Sequence, residues 1–117
     1  MKFKLIVVMT EDELTQQALK TARENGATGC TVITNARGEG LKPSKTFLGL
    51  NIAGARDMIL MLVEEHLSRH ILEQVAADCG FDTKPGTGVA FQIDIEDAIG
   101  LRSQIETIGR EIGEEEL

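Results

Sequence analysis

The sequence predicts an α+β fold of the ferredoxin-like type, a βαββαβ sandwich, and three observations carry it. The elements follow in the order strand, helix, strand, strand, helix, strand. Two helices of this order cover only one face of a sheet. The first and third strands nevertheless carry apolar residues at both parities, so the second face needs a cover, and another copy of the chain is the simplest one. A homo-oligomer is therefore expected.

Lys2 to Met9 opens the fold: the run Leu5-Ile6-Val7-Val8-Met9 is short, β-branched and apolar on both sides, as in a strand covered on both faces. Thr10-Glu11-Asp12-Glu13 has the form of a capping box, which predicts a helix over 11–25. Its apolar side is Leu14, Ala18, Leu19 and Ala22, and Asn25-Gly26 can end it. Thr28 to Thr34, rich in Thr, Val and Ile, predicts the second strand. The next is 57–64, whose unbroken run Met58 to Val63 predicts a central position. Leu67, Ile71, Leu72, Val75 and Cys79 then repeat at helical spacing before Gly80, which places a helix over 65–79. Val89, Phe91, Ile93 and Ile95 alternate with Ala90, Gln92 and Asp94, the pattern of a strand with one buried face. Asp94 or the acids after it can start a helical turn. Leu101, Ile105, Ile108 and Ile112 draw an apolar stripe along a short final helix, which would be marginal alone in water and must dock on something.

Length and composition limit the function. At 117 residues the chain is one domain, with 35–55 as a glycine-bearing loop and 96–117 as an extension beyond the core. A loop of that length in a compact domain is usually functional or mobile. Twelve basic against nineteen acidic residues give 12 − 19 = −7, which argues against nucleic acid as a partner. No apolar run is long enough for a bilayer span or a signal peptide, so the expected location is cytoplasmic, without membrane insertion. Cys30 and Cys79 are then expected as two reduced, buried thiols.

Three segments, in this order, resemble the P-II signal transduction family. They are Gly26-Ala27-Thr28-Gly29-Cys30-Thr31-Val32 leading to Gly38-Glu39-Gly40, then Lys84-Pro85-Gly86-Thr87-Gly88-Val89-Ala90-Phe91, then Ile95-Glu96-Asp97-Ala98-Ile99-Gly100-Leu101-Arg102. The resemblance implies a ferredoxin-like homotrimer that binds an adenine nucleotide between subunits, with Gly29, Thr31, Gly38, Gly40, Gly86, Thr87, Gly88 and Arg102 as the binding residues. Elementary chemistry agrees at two points. Glycines let backbone amides approach phosphate oxygens, and a guanidinium binds them bidentately. A tight turn leading into a strand would equally account for Pro85-Gly86.

Departures from the family pattern refine the expectation. Val89 stands where a phosphate-binding lysine is usual, and Gly100 where the first of two arginines is usual. Each lost charge-assisted contact removes about 1.5 to 3 kcal/mol, so ADP, AMP or a cyclic mononucleotide is favoured over ATP as effector, and no cofactor is required. With no tyrosine in the chain, tyrosine uridylylation is excluded. The 35–55 loop is shorter than the family's regulatory loop and has no evident counterpart of the lysine that helps with 2-oxoglutarate. It gathers Arg37, Lys42 and Lys45 beside Phe47 and Leu48, a combination suited to docking on a target transporter or metabolic enzyme.

Other classes have weaker support. His66, His70 and Glu73 have a spacing that can hold a metal, as in a trimeric divalent-cation tolerance protein, but no third strong ligand is assured. A purely structural trimer would bind no nucleotide. No nucleophile is placed with a base, and the acids at 94, 96 and 97 read as helix-start residues, so an enzyme is not expected.

Overall fold

A computed structural model gives the architecture of residues 2–36, 46–47, 50–51 and 56–100. Strand β1 (Phe3–Glu11) is followed by a 3-10 turn over Asp12–Leu14 and helix α1 (Thr15–Glu24). Then come β2 (Thr31–Ala36), two short strands β3 (Thr46–Phe47) and β4 (Leu50–Asn51) paired with each other, β5 (Arg56–Glu64), α2 (Glu65–Cys79) and β6 (Gly88–Asp94). The four long strands form one antiparallel sheet in the order β2-β5-β1-β6. With both helices on one face, this is the expected ferredoxin-like α+β sandwich.

Period-two alternation divides the sheet into a dry face and an open one. Ile6, Val8 and Thr10 of β1 and Ile59, Met61 and Val63 of β5 are buried, together with Ala18 and Ala22 of α1 and Ile71, Val75 and Cys79 of α2. The residues between them face the other way. There, Ile33, Phe91 and Ile93 remain 46%, 37% and 46% exposed, although Val7 on the same face is buried. Large apolar side chains at that exposure on one face mark an unfinished core.

Four sequence expectations need correction. Thr10 does not cap a helix. β1 continues through it to Glu11, opposite Asp57 and Arg56, and the first helical residues form a 3-10 turn with no side-chain cap. Long-range pairing along β1 outweighs the local capping signal. The second strand begins three residues later than expected, at Thr31, because Ala27 to Cys30 form an irregular approach, and a register shift follows between Ile33 and Ala36 with Asn35 at φ 58. Residues 95–98 take no regular structure, so the acids there start no helical turn. Cys30 is exposed, while Cys79 alone is buried, and burial then nearby Asp78 push the Cys79 thiol above its ordinary range. The expected final helix lies outside the described residues. Among the described residues no helix is long and apolar enough to cross a membrane.

Candidate functional site

The register brings several sequence candidates to one end of the sheet. Ala36, the last residue of β2, pairs with Arg56, the first of β5, and Arg56 pairs with Glu11 at the end of β1. The Glu11 amide in turn donates to the Thr87 carbonyl at 3.0 Å. The base of the 35–55 segment and the turn leading into β6 therefore share one end of the fold. They lie at opposite edges of it, since β5 and β1 separate β2 from β6, and three strand spacings amount to about 14 Å.

The turn at residues 80–87 is built by internal hydrogen bonds. Gly80 ends α2 in the left-handed conformation at φ 71, and its carbonyl accepts the Lys84 amide at 2.8 Å and the Thr83 amide at 3.2 Å. The Thr87 hydroxyl donates into the same turn, 2.8 Å from the Lys84 carbonyl and 3.2 Å from that of Gly80. Gly86 sits at φ 81, a conformation that only a glycine adopts without strain. The Thr87 carbonyl also lies 3.2 Å from the Thr10 hydroxyl, so β1 fixes the turn through two consecutive residues. Of the amides of residues 83–87, those of Thr83, Lys84 and Thr87 are taken by carbonyls within the turn and Pro85 has none, which leaves the amide of Gly86.

The sequence candidates fall in different parts of the fold. Gly86, Thr87 and Gly88 stand together in this turn. Gly88 has a packing reason of its own, since a Cβ there would be 2.3 Å from the Phe81 ring, and the Thr87 hydroxyl is engaged within the turn. Gly29 and Thr31 are exposed at the β2 edge. A Cβ at Gly29 would meet nothing within 4 Å, and a shallow hollow of about 100 Å³ adjoins it, lined also by Arg23, Cys30 and Met61. Arg37, Gly38, Gly40, Lys42, Lys45, Leu48 and Arg102 lie outside the described residues. Of Phe47 only the backbone, in β3, is described.

His66, His70 and Glu73 are on the exposed side of α2. His66 Nε2 is 3.3 Å from a Glu64 oxygen, and the Glu73 carboxylate accepts Arg69 Nε at 2.7 Å. Among the described residues no three His, Cys, Asp or Glu side chains gather as a metal site. At the other end of the sheet Lys4 and Asp94 form an ion pair. Hydrogen bonding to the Lys4 ammonium, and then its charge, hold the Asp94 carboxyl below the ordinary range, and the same bond raises Lys4.

Sequence reasoning missed the contacts that hold this end together. One is the Thr10 and Glu11 connection to Thr87. Another is the buried hydrogen bond from the Thr15 hydroxyl to Asp57 Oδ2, 2.6 Å long, which ties the start of α1 to the start of β5. A charged residue at a position whose alternation points into the core was the available signal for Asp57.

A four-stranded antiparallel sheet under two helices, with a long connection and a glycine turn at one end, defines a small ferredoxin-like α+β protein whose sheet has one open apolar face. Residues 3–105 match the family described as nitrogen regulatory protein P-II, and the chain belongs to that family. Its members are signalling regulators, not enzymes. A structure of CPII from Thiomonas intermedia K12 bound to ADP, AMP and acetate is similar at 26% identity with a TM-score of 0.65, covering 86% of this chain and 92% of that one. The apo form of the same protein, described as a nitrogen regulatory PII-like protein, gives 25% and 0.64, covering 81% and 90%. A PII-like signalling protein of Thermus thermophilus shares the fold at 21% identity and a TM-score of 0.60, covering 80% and 87%. No curated protein matches the chain significantly.

Proposed function

We propose that this protein is a divergent PII-like regulator. It assembles as a homotrimer, binds an adenine nucleotide in the crevice between subunits, and controls a target enzyme or transporter through residues 35–55. The observation that carries this reading is the placement of the β2 edge and the 80–88 turn at opposite edges of one sheet, with the 35–55 segment rooted at the same end as the turn. Residues about 14 Å apart within one chain meet around a single nucleotide when the β2 edge of one copy faces the turn of the next. The open apolar face supplies the reason for copies to associate.

The Gly86 amide, which no carbonyl of the turn takes up, meets a phosphate oxygen, while Gly29 and Thr31 flank the base and ribose. Arg102 supplies a cation, with Gly38 and Gly40 giving the backbone freedom to close around the ligand. Val89 and Gly100 remove two cations of the family pattern, which favours ADP, AMP or a cyclic mononucleotide over ATP. The binding of ADP and AMP by CPII supports the same choice. Occupancy then selects among conformations of the segment that carries Arg37, Lys42, Lys45, Phe47 and Leu48, and so changes which target it engages, in the cytoplasm.

Calorimetric titration with AMP, cyclic AMP, ADP and ATP tests this reading. Saturable binding of at least one, accompanied by a rise in melting temperature, is expected. Absence of heat and of any thermal shift with all four would leave a structural assembly in place of a nucleotide-responsive regulator.

A further inference from the structure

Two rows of residues cross the whole sheet at the end where the Gly86 turn lies. In the first, Gly88 pairs with Thr10 and Thr10 with Asp57. Beyond Asp57 the pairing of β2 loses step. Ile33 stands opposite Met58 and Ala36 opposite Arg56, so Thr34 and Asn35 together face the single residue Asp57, which is a β-bulge. Asn35 accommodates the extra residue in the left-handed region at φ 58. In the second row the Thr87 carbonyl, Glu11, Arg56 and Ala36 follow one another. One atom anchors both rows at the turn, since the Thr87 carbonyl accepts the Glu11 amide at 3.0 Å and the hydroxyl of the fully buried Thr10 at 3.2 Å. Midway, the Thr15 hydroxyl holds the buried Asp57 carboxylate at 2.6 Å.

We propose that these rows make the Gly86 turn and the β2 bulge one mechanical unit within a chain, so that a change at the turn resets how β2 ends. The bulge supplies the freedom. Releasing its extra residue continues the register of Thr31 to Ile33, which brings Asn35 opposite Arg56 and turns Ala36 to the other face of the sheet. The chain then leaves β2 toward the other side. The opposing terms are small, because positive φ is mild for an asparagine and one ladder pairing is exchanged for another. Thr10 biases the choice: its hydroxyl reaches the turn, and its cross-strand partner is the residue that the bulge faces. An anion on the Gly86 amide would act one residue from the anchoring carbonyl. As a relay of nucleotide binding the unit deepens the reading above and rests on it, whereas the link itself holds without ligand.

Amide resonances of the full chain test the link. An isotope-labelled Thr10→Val chain, refolded with an excess of unlabelled unaltered chains, reports on the variant copy alone. Its Thr34, Asn35 and Ala36 amides should shift several-fold more than those of Val7 and Leu60, which lie about as far from residue 10 along the strands, roughly 10 Å. The link is reciprocal. Asn35→Val, a branched residue strained at positive φ, should therefore move the Gly86 and Thr87 amides, while Asn35→Gly should leave them in place. That pair of variants decides the matter if Thr10→Val fails to fold. Shifts confined to β1 and the turn would overturn the proposal, as would shifts at 34–36 that appear only when every copy carries the variant, or turn amides indifferent to Asn35→Val. ADP should move the amides of 34–36 at least twofold less in Thr10→Val than in the unaltered chain, and equal movement would overturn the relay. An unaltered chain that takes up no ADP would instead sink the nucleotide reading, with the link still decided by the ligand-free shifts.

Discussion

Phe81 lies so close to Gly88 that a Cβ on residue 88 would stand 2.3 Å from the ring. The contact joins the turn after α2 to the first residue of β6, and it gives that glycine a reason to be there independent of any ligand. Gly88→Ala should cost about 1 to 3 kcal/mol, as overpacked interiors do. In Phe81→Leu, where a smaller side chain can yield, the same substitution should cost clearly less. A double-mutant cycle by denaturant unfolding measures the difference; equal costs in the two backgrounds would deny the contact.

Thr15→Val should be costly for its size. The hydroxyl donates to a buried carboxylate at 2.6 Å, and its loss leaves Asp57 short of a partner inside the fold. About 1.5 to 3 kcal/mol is expected, with Thr15→Ser retaining most of the stability. If valine and serine prove equally harmless in thermal unfolding, the hydrogen bond contributes nothing.

Much of this architecture was legible in the sequence where periodicity and punctuation agreed. α2 starts and ends as expected because a five-residue apolar stripe meets a glycine stop, and the run Met58 to Val63 marked the central strand β5 correctly. Thr10 was misread because a capping box is a local signal, while the pairing of Glu11 with Arg56 depends on residues forty-five positions away. The candidate site was legible in part for the same reason. Pro85-Gly86 could be read as a tight turn, but the Phe81 contact of Gly88 and the internal bonds of the Thr87 hydroxyl arise only when α2 and β6 are brought together.

The open sheet face should govern assembly. Ile93→Lys or Phe91→Asp places a charge among side chains that another copy is expected to cover, and either should shift the protein toward single chains in light scattering coupled to size exclusion. The unaltered protein should elute as a trimer. Trimers of unchanged stability in both variants would show that copies meet elsewhere.

The Lys4 and Asp94 pair fixes a pH dependence. The Asp94 pKa is depressed in the folded chain, so its contribution is present above the ordinary carboxylate value of 3.8 and is lost as pH falls through the lower folded value. Lys4 is raised, so its contribution is full below 10.5 and is lost as pH rises through the higher folded value. Between those limits the pair is constant with pH, and being exposed it is weakened by salt. Asp94→Asn should make both outer limbs of a plot of melting temperature against pH slightly shallower and leave the slope of its middle unchanged. Unchanged acid and alkaline limbs would contradict the assignment.

Mixed assemblies test most directly whether two copies build each nucleotide site. Thr31→Trp obstructs the β2 edge, and Gly86→Asp places a negative charge in the turn with a residue that tolerates positive φ better than most. Each variant alone should bind no ADP in calorimetry, whereas the two unfolded and refolded together should regain part of the binding, because some crevices then pair an intact edge with an intact turn. A mixture as silent as its components, beside an unaltered protein that binds, would place the whole site within one chain and contradict the account.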